Sequence, residues 1–130
     1  MKKLYVTSVI LLLVFFSAAA PLSANAAMYV AGGFQGRFFY DNGNYADFNG
    51  VIYQDGARIW GDCVDEDGES SLTGSVDESS LTFVKTYRKN GLRVQYSGDI
   101  VPETNKVKGY WRIDQNNIGQ FTMTIRNDKM

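Results

Sequence analysis

Apolar and polar residues alternate one by one along most of the chain after residue 33, and this alternation is the strongest constraint on its fold. Successive side chains of a β-strand point to opposite faces, so a period of two predicts strands with one buried face and one solvated face. The pattern is clearest after residue 80. The predicted inward face there consists of Leu81, Phe83, Lys85, Tyr87, Val94, Tyr96, Gly98, Ile100, Val107, Gly109, Trp111, Ile113, Gly119, Phe121, Met123 and Ile125.

Short clusters of Gly, Asn, Asp and Ser separate the alternating segments, as hairpin turns require. The dipeptides at 55–56 (Asp-Gly) and 90–91 (Asn-Gly) are the strongest signals, because both suit turns with positive φ. Connections this short force each strand to pair with its sequence neighbour in antiparallel orientation. The predicted strands are 34–41, 46–54, 57–65, 70–76, 80–88, 92–101, 106–114 and 118–127.

Strands with a single apolar face must bury that face, either against a second sheet or by closing on themselves. A meander of consecutive hairpins favours closure, and glycines within the strands permit the coiling that a narrow barrel needs. The predicted fold class is therefore all-β, a single eight-stranded antiparallel up-and-down meander that closes into a small barrel. The glycines concerned are Gly36, Gly50, Gly61, Gly74, Gly98, Gly109 and Gly119.

Two segments of the second half resemble the late strands of the avidin family. They are Tyr-Ser-Gly-Asp at 96–99 and Lys-Gly-Tyr-Trp at 108–111, and Leu-Thr-Gly-Ser at 72–75 is similar to an early avidin strand. The resemblance implies a calycin-type barrel, the architecture shared by avidins and lipocalins. It does not imply biotin binding, because the other pocket tryptophans of avidins have no counterpart here and Trp60 falls on the outward face.

The N-terminal segment has the three parts of a secretory signal peptide in their usual order. Lys2 and Lys3 precede an apolar run at 4–16, and small residues follow at 17–27, with an Ala-Asn-Ala site before Ala27. We therefore expect a signal peptide at 1–26, a single β-barrel domain at 27–130, and a secreted or periplasmic location. An uncleaved anchor is the alternative, because the apolar stretch is near the lower limit for a membrane span.

Charge and composition exclude several classes of function. The remaining domain is mildly acidic and has no basic stripe, so nucleic acid is not an expected partner. No amphipathic helix is predicted, so no membrane contact is expected after signal cleavage. Histidine is absent, which removes the usual general base and zinc ligand, and we expect neither an enzyme nor a metal or cofactor site. The acidic residues between 62 and 78, Asp65 among them, are interpreted as solvated turn residues.

The candidate ligand-binding residues are Lys85, Tyr87, Tyr96 and Trp111, all on the predicted inward face. Lys85 interrupts that apolar face, where an unpaired ammonium is costly. It either reaches water at the barrel mouth, is turned outward by a bulge, or forms the polar end of a cavity for a small ligand with an acidic or polar head. In the last case, replacing Lys85 with Met should leave stability equal or higher.

Two functions from different classes are consistent with these residues. The first is an exported barrel that binds a small, largely apolar ligand in its interior, as the calycin resemblance implies. The second is a barrel with a filled core whose surface acts on an extracellular protein, in the manner of a hydrolase inhibitor or adhesion module. The lone Cys63 offers no intramolecular disulfide, so core packing must stabilise either form.

Overall fold

The structure is a computed structural model that describes residues 27–126. The predicted signal peptide, 1–26, lies outside the described residues. Within them, every regular element is a strand, and no helix is long and apolar enough to span a membrane. The strands are β1 (Gly32–Phe39), β2 (Tyr45–Asp55), β3 (Arg58–Asp65), β4 (Gly68–Asp77), β5 (Ser80–Tyr87), β6 (Arg93–Ile100), β7 (Lys106–Asp114) and β8 (Asn117–Arg126).

The eight strands form one closed antiparallel barrel in sequence order. Each strand pairs with the next, and β1 pairs with β8 in a register that sets Gly33 opposite Arg126. The predicted meander and its closure are therefore confirmed, at the level of the calycin architecture. The packing of two separate sheets, the other way to bury a single apolar face, does not occur.

The predicted strand limits agree with the structure to within two residues. The shifts of two residues are at β1, which begins and ends two residues earlier than predicted, and at the β3–β4 turn. The sequence predicts a join at 66–69, whereas β4 already begins at Gly68, which pairs with Asp65. The Asp65 carboxylate accepts the backbone N–H of Asp67 at 2.8 Å, and Gly68 has a φ of 114°. This side-chain turn and the positive φ tighten the connection.

Aromatic side chains fill the middle of the barrel. The ring of Tyr96 stacks on Phe83 with centroids 4.8 Å apart and meets Phe121 edge-on at 5.0 Å. Phe48 packs against the same tyrosine at 5.8 Å and against Phe34 at 5.9 Å. Inward side chains from every strand are buried, so the barrel has a packed core through its middle and no continuous channel.

Glycines allow neighbouring strands to approach closely in this narrow barrel. A Cβ atom at Gly61 would overlap the carbonyl oxygen of Val51 on β2, and one at Gly109 would overlap the carbonyl oxygen of Ser97 on β6. A larger residue at either position would push the two strands apart. The predicted role of glycines within strands is thus visible at both positions.

The two ends of the barrel differ. At one end, residues 27–31 cross the opening, and the Val30 side chain is buried there. Gln54 secures this segment, because its amide accepts the N–H of Val30 at 2.7 Å and donates to the carbonyl of Met28 at 2.8 Å. The other end, formed by the turns after β1, β3, β5 and β7, is not crossed by any segment of residues 27–126 and is called the open end.

Candidate functional site

A cavity of about 150 Å³ lies at the open end of the barrel and is called the mouth cavity. Its lining combines aromatic and aliphatic side chains with a single charged residue, Asp67. The aromatic members are Phe38, Tyr40, Tyr87, Tyr96 and Trp111, and the aliphatic members are Leu92, Val94 and Ile113. Small-molecule sites are commonly apolar and concave with few polar groups, and this lining has that composition.

Larger depressions exist on the outside of the barrel, and they differ in character. One of about 420 Å³ runs along the outer wall between residues such as Gln35, Arg37 and Asp47. Another, of about 610 Å³, lies over the turn after β1 and is lined by residues such as Asn42 and Asn44. Both are more open to solvent and more polar than the mouth cavity. A third, of about 440 Å³ beside Val51 and Val64, has mostly apolar walls but is the most open of the three, so none of them would remove an apolar ligand from water as well as the mouth cavity.

Three rings of the mouth cavity stand nearly perpendicular to one another. The centroid of Phe38 lies 5.5 Å from that of Tyr40 at 77°, and 6.3 Å from that of Trp111 at 78°. Tyr40 and Trp111 are 6.2 Å apart at 77°. The indole Nε1–H of Trp111 donates to the carbonyl oxygen of Phe39 at 3.0 Å, which fixes the ring. The rings therefore form a rigid corner with walls in three directions.

A buried ion pair lies beneath this corner. The ammonium of Lys85 contacts the Asp65 carboxylate with an Nζ–Oδ2 distance of 2.7 Å, and the two side chains are 1% and 0% exposed. The Tyr87 hydroxyl donates to the same oxygen at 2.6 Å. The other carboxylate oxygen accepts the N–H of Asp67, so Asp65 is satisfied by three donors. Buried charges persist in proteins when they are paired and hydrogen-bonded in this way.

Aromatic rings complete the surroundings of the lysine. The Nζ atom of Lys85 lies 5.0 to 5.2 Å from four ring centroids, within the range of cation–π attraction. The rings belong to Phe38, Phe48, Tyr87 and Tyr96. Lys85 is thus an internal cation with its own anion, and its charge is not directed into the mouth cavity.

This arrangement revises two interpretations of the sequence. Lys85 neither reaches water nor turns outward at a bulge, and Asp65, interpreted from sequence as a solvated turn residue, is the partner that keeps it inside. The alternation along β3 contains the signal, because Ile59 and Cys63 face inward and Asp65 has the same parity. Removing Lys85 alone would leave Asp65 buried without a counter-charge. The geometry therefore predicts a loss of stability for Lys85→Met, in place of the equal or higher stability expected from the sequence.

The tyrosine hydroxyls at the site are held in their neutral form. Burial raises the pKa of Tyr96, and burial together with the hydrogen bond to Asp65 raises the pKa of Tyr87. The pKa of Tyr40 is raised by burial and then by the nearby carboxylates, with Glu66 the strongest of them. Tyr96 is 1% exposed, yet its hydroxyl makes no hydrogen bond with any residue in 27–126. Buried polar groups are rarely left unpaired, so this hydroxyl can accept or donate to a further group.

Of the four residues predicted from sequence, the structure brings Tyr87, Tyr96 and Trp111 together in the lining of the mouth cavity. Lys85 lies below them, outside the lining. Sequence reasoning did not select Phe38 and Tyr40, although both follow the inward parity of β1 that Phe34 begins. Their partnership with Trp111 becomes apparent only when β1 closes the barrel.

No group of three or more His, Cys, Asp or Glu side chains within 27–126 is arranged to hold a metal ion. Cys63 is a free, buried thiol, and burial raises its pKa. A scan against protein-family models, a search of curated proteins and a search of solved structures each give no match. The likeness to calycins is therefore one of architecture, an eight-stranded antiparallel closed barrel.

Proposed function

We propose that this protein is an exported barrel that binds a small, largely apolar ligand, or the apolar head of a larger one, in the mouth cavity. The observation that carries the proposal is the cavity itself, with aromatic and aliphatic walls at the one end of the barrel that no described segment crosses. The proposed location in the cell depends on the sequence of residues 1–26, which has the pattern of a signal peptide.

The size of the cavity limits what it can hold. A cavity of about 150 Å³ with apolar walls accommodates one benzene-sized group. The packed rings of Phe83, Tyr96 and Phe121 fill the barrel below, so a ligand cannot pass deeper. This narrows the interior site expected from the sequence to a shallow one at the mouth. A longer ligand would leave its remaining part in solvent.

Titration with benzyl alcohol, a single-ring probe, tests the proposal. In a Trp60→Phe background, Trp111 is the only tryptophan, so its fluorescence reports on the cavity. Binding should shift or quench that fluorescence. At ten times Kd the probe should stabilise the native state by about 1.4 kcal/mol, which raises Tm by roughly 5–10 °C for a domain of this size.

Two tyrosines in the β1–β2 hairpin provide a matched pair of variants. Tyr40 lines the mouth cavity, whereas Tyr45 is exposed on the outer wall with the Arg37 guanidinium 3.9 Å from its ring centroid. Tyr40→Ala should weaken probe binding, and Tyr45→Ala should leave it unchanged. If a folded protein shows neither a fluorescence change nor a Tm shift, or if both variants weaken binding equally, the proposal fails.

An apolar patch on the outer wall supports the second candidate, action on another protein. Tyr53 is 48% exposed and stacks on Trp60 across β2 and β3 at 6.1 Å, with the Arg58 guanidinium 4.6 Å from the Trp60 ring. Val51 and Val64 are also exposed on these two strands. Such patches are typical of interaction surfaces. Native mass spectrometry of the protein purified from its own host would separate the candidates, because it would detect either a retained small molecule or a bound protein.

A further inference from the structure

The charges around the mouth cavity are not balanced. Asp67 lies in the lining and Glu66 precedes it, whereas the nearest interior cation, Lys85, is neutralised by Asp65. Arg88, which follows β5 at this end, is held on the outer wall by Asp62 at 2.7 Å and by a second carboxylate. Lys89 is exposed in the next position and does not line the cavity. The lining of the mouth cavity therefore carries a net negative charge close to its aromatic walls.

The aromatic walls themselves attract positive charge, because the face of an aromatic ring carries partial negative charge. The Lys85 ammonium, which lies below the cavity, supplies the positive charge that faces the rings of Phe38, Tyr87 and Tyr96. Tyr40 and Trp111, the two walls on the other side of the corner, have no cation over their rings among residues 27–126. Two ring faces and a carboxylate are thus left for a positively charged ligand.

The composition of the lining also distinguishes between kinds of cation. A primary ammonium is strongly hydrated and has three N–H donors, each of which would have to be aligned with the Asp67 carboxylate or a tyrosine hydroxyl within a mainly apolar lining. Any donor left unaligned in such surroundings would be unfavourable. A quaternary ammonium has no N–H group and needs only ring faces and a nearby negative charge. Its trimethylammonium head is no larger in non-hydrogen atoms than the benzene ring that a cavity of this volume holds.

We propose that the ligand of the mouth cavity carries a quaternary ammonium head, such as trimethylammonium, which is enclosed by Tyr40 and Trp111 and neutralised by Asp67. This inference rests on the proposed function, because it names the chemistry of the ligand at the same site. It reverses the acidic or polar head expected from sequence, since that expectation assumed an unpaired Lys85. The unpartnered Tyr96 hydroxyl is available to a polar atom next to the ammonium.

Choline and its neutral isostere dimethylbutanol, in which a quaternary carbon replaces the nitrogen, form the test pair. Both probes have the same shape and the same hydroxyl, so they differ in charge alone. Binding is followed by Trp111 fluorescence in the Trp60→Phe background and by Tm. We expect choline to bind about tenfold more tightly than dimethylbutanol, a factor between those that an exposed and a fully desolvated cation–π contact supply.

Asp67→Asn and Asp41→Asn are the matched variants. Asp67 lines the cavity, and its carboxylate makes no hydrogen bond with residues 27–126, so Asp67→Asn should not disturb the turn. Asp41 is exposed in the turn after β1 and is not part of the lining. Asp67→Asn should weaken choline binding several-fold and leave dimethylbutanol unaffected, whereas Asp41→Asn should change neither.

The outcomes separate this inference from the proposed function. If choline and dimethylbutanol bind equally, or if the neutral probe binds more tightly, the ammonium head is wrong and the apolar site stands. If Asp67→Asn and Asp41→Asn weaken choline equally, general surface charge accounts for the preference, and the assignment to Asp67 is overturned. If none of the three probes (choline, dimethylbutanol and benzyl alcohol) binds, the proposed function fails and the inference fails with it.

Discussion

The buried pair of Lys85 and Asp65 should show strong energetic coupling. Lys85→Met leaves a carboxylate at 0% exposure without a counter-charge, and Asp65→Asn leaves an ammonium at 1% exposure in the same condition. Each single substitution should therefore lower the free energy of unfolding by about 3–5 kcal/mol. If the two effects were independent, the double variant would lose roughly 6–10 kcal/mol, comparable to the whole stability of about 5–15 kcal/mol typical of a domain.

The structure indicates a different result for the double variant. Lys85→Met with Asp65→Asn removes both charges. The Asn oxygen can still accept the N–H of Asp67, and the Asn NH2 group can donate to the Tyr87 hydroxyl, which accepts as well as donates. We expect the double variant to lie within about 2 kcal/mol of the parent and to be more stable than either single variant. Urea unfolding followed by far-ultraviolet circular dichroism measures all four proteins.

The exposed pair of Arg37 and Asp47 is the matched control. Its N–O distance is also 2.7 Å, but its side chains are 43% and 62% exposed. Asp47→Asn should leave the urea midpoint nearly unchanged, because water already solvates both groups. A double variant at Lys85 and Asp65 that loses the sum of the two single effects would refute the reasoning. The reasoning would also be refuted if Asp47→Asn lowered the free energy of unfolding as much as Asp65→Asn does.

Two further predictions concern alkaline pH and processing. Native Tyr87 and Tyr96 keep their protons above the pH at which an unfolded tyrosine ionises, so their contribution to the free energy of unfolding should be constant up to about pH 10 and fall above it. Urea titrations across this range should show a shallower fall for Tyr87→Phe, and equal slopes would contradict the assignment. N-terminal sequencing of the protein recovered outside the cytoplasm should begin at Ala27 or an adjacent residue, whereas Met1 retained in a membrane fraction would contradict export with cleavage.

The fold could be predicted closely because its rules are local. Alternation with a period of two gives the strands, and dipeptides such as Asp55-Gly56 give the turns between them. The β3–β4 turn was predicted less well, because the Asp65 side chain belongs to the interior and the tight turn begins after it. A cluster of acidic residues is typical of a loop, and only the inward parity of Asp65 along β3 distinguishes it from the solvated acidic residues beside it.

The site was predicted in part, for a similar reason. Tyr87, Tyr96 and Trp111 share one face of neighbouring strands β5, β6 and β7, so local parity is enough to group them. Tyr40 and Phe38 come from the other end of the chain. Trp111 donates to the carbonyl of Phe39 across 72 residues of sequence, a contact that depends on ring closure. The pairing of Lys85 with Asp65 could not be predicted without the positions of their side chains. For the same reason, the charge that is left for a ligand could not be predicted.

Ring closure also determines when the chain can become a stable protein. Every strand pairing except that of β1 with β8 joins neighbours in sequence, so hairpins can form one after another as the chain grows. The last strand of the barrel to be synthesised is nevertheless the one that must meet the first. Until then, β1 and β7 each present an unpaired edge, and the aromatic core is open to water. A chain truncated before β8 should therefore not be a slightly weakened barrel but an open sheet with two edges, prone to aggregate.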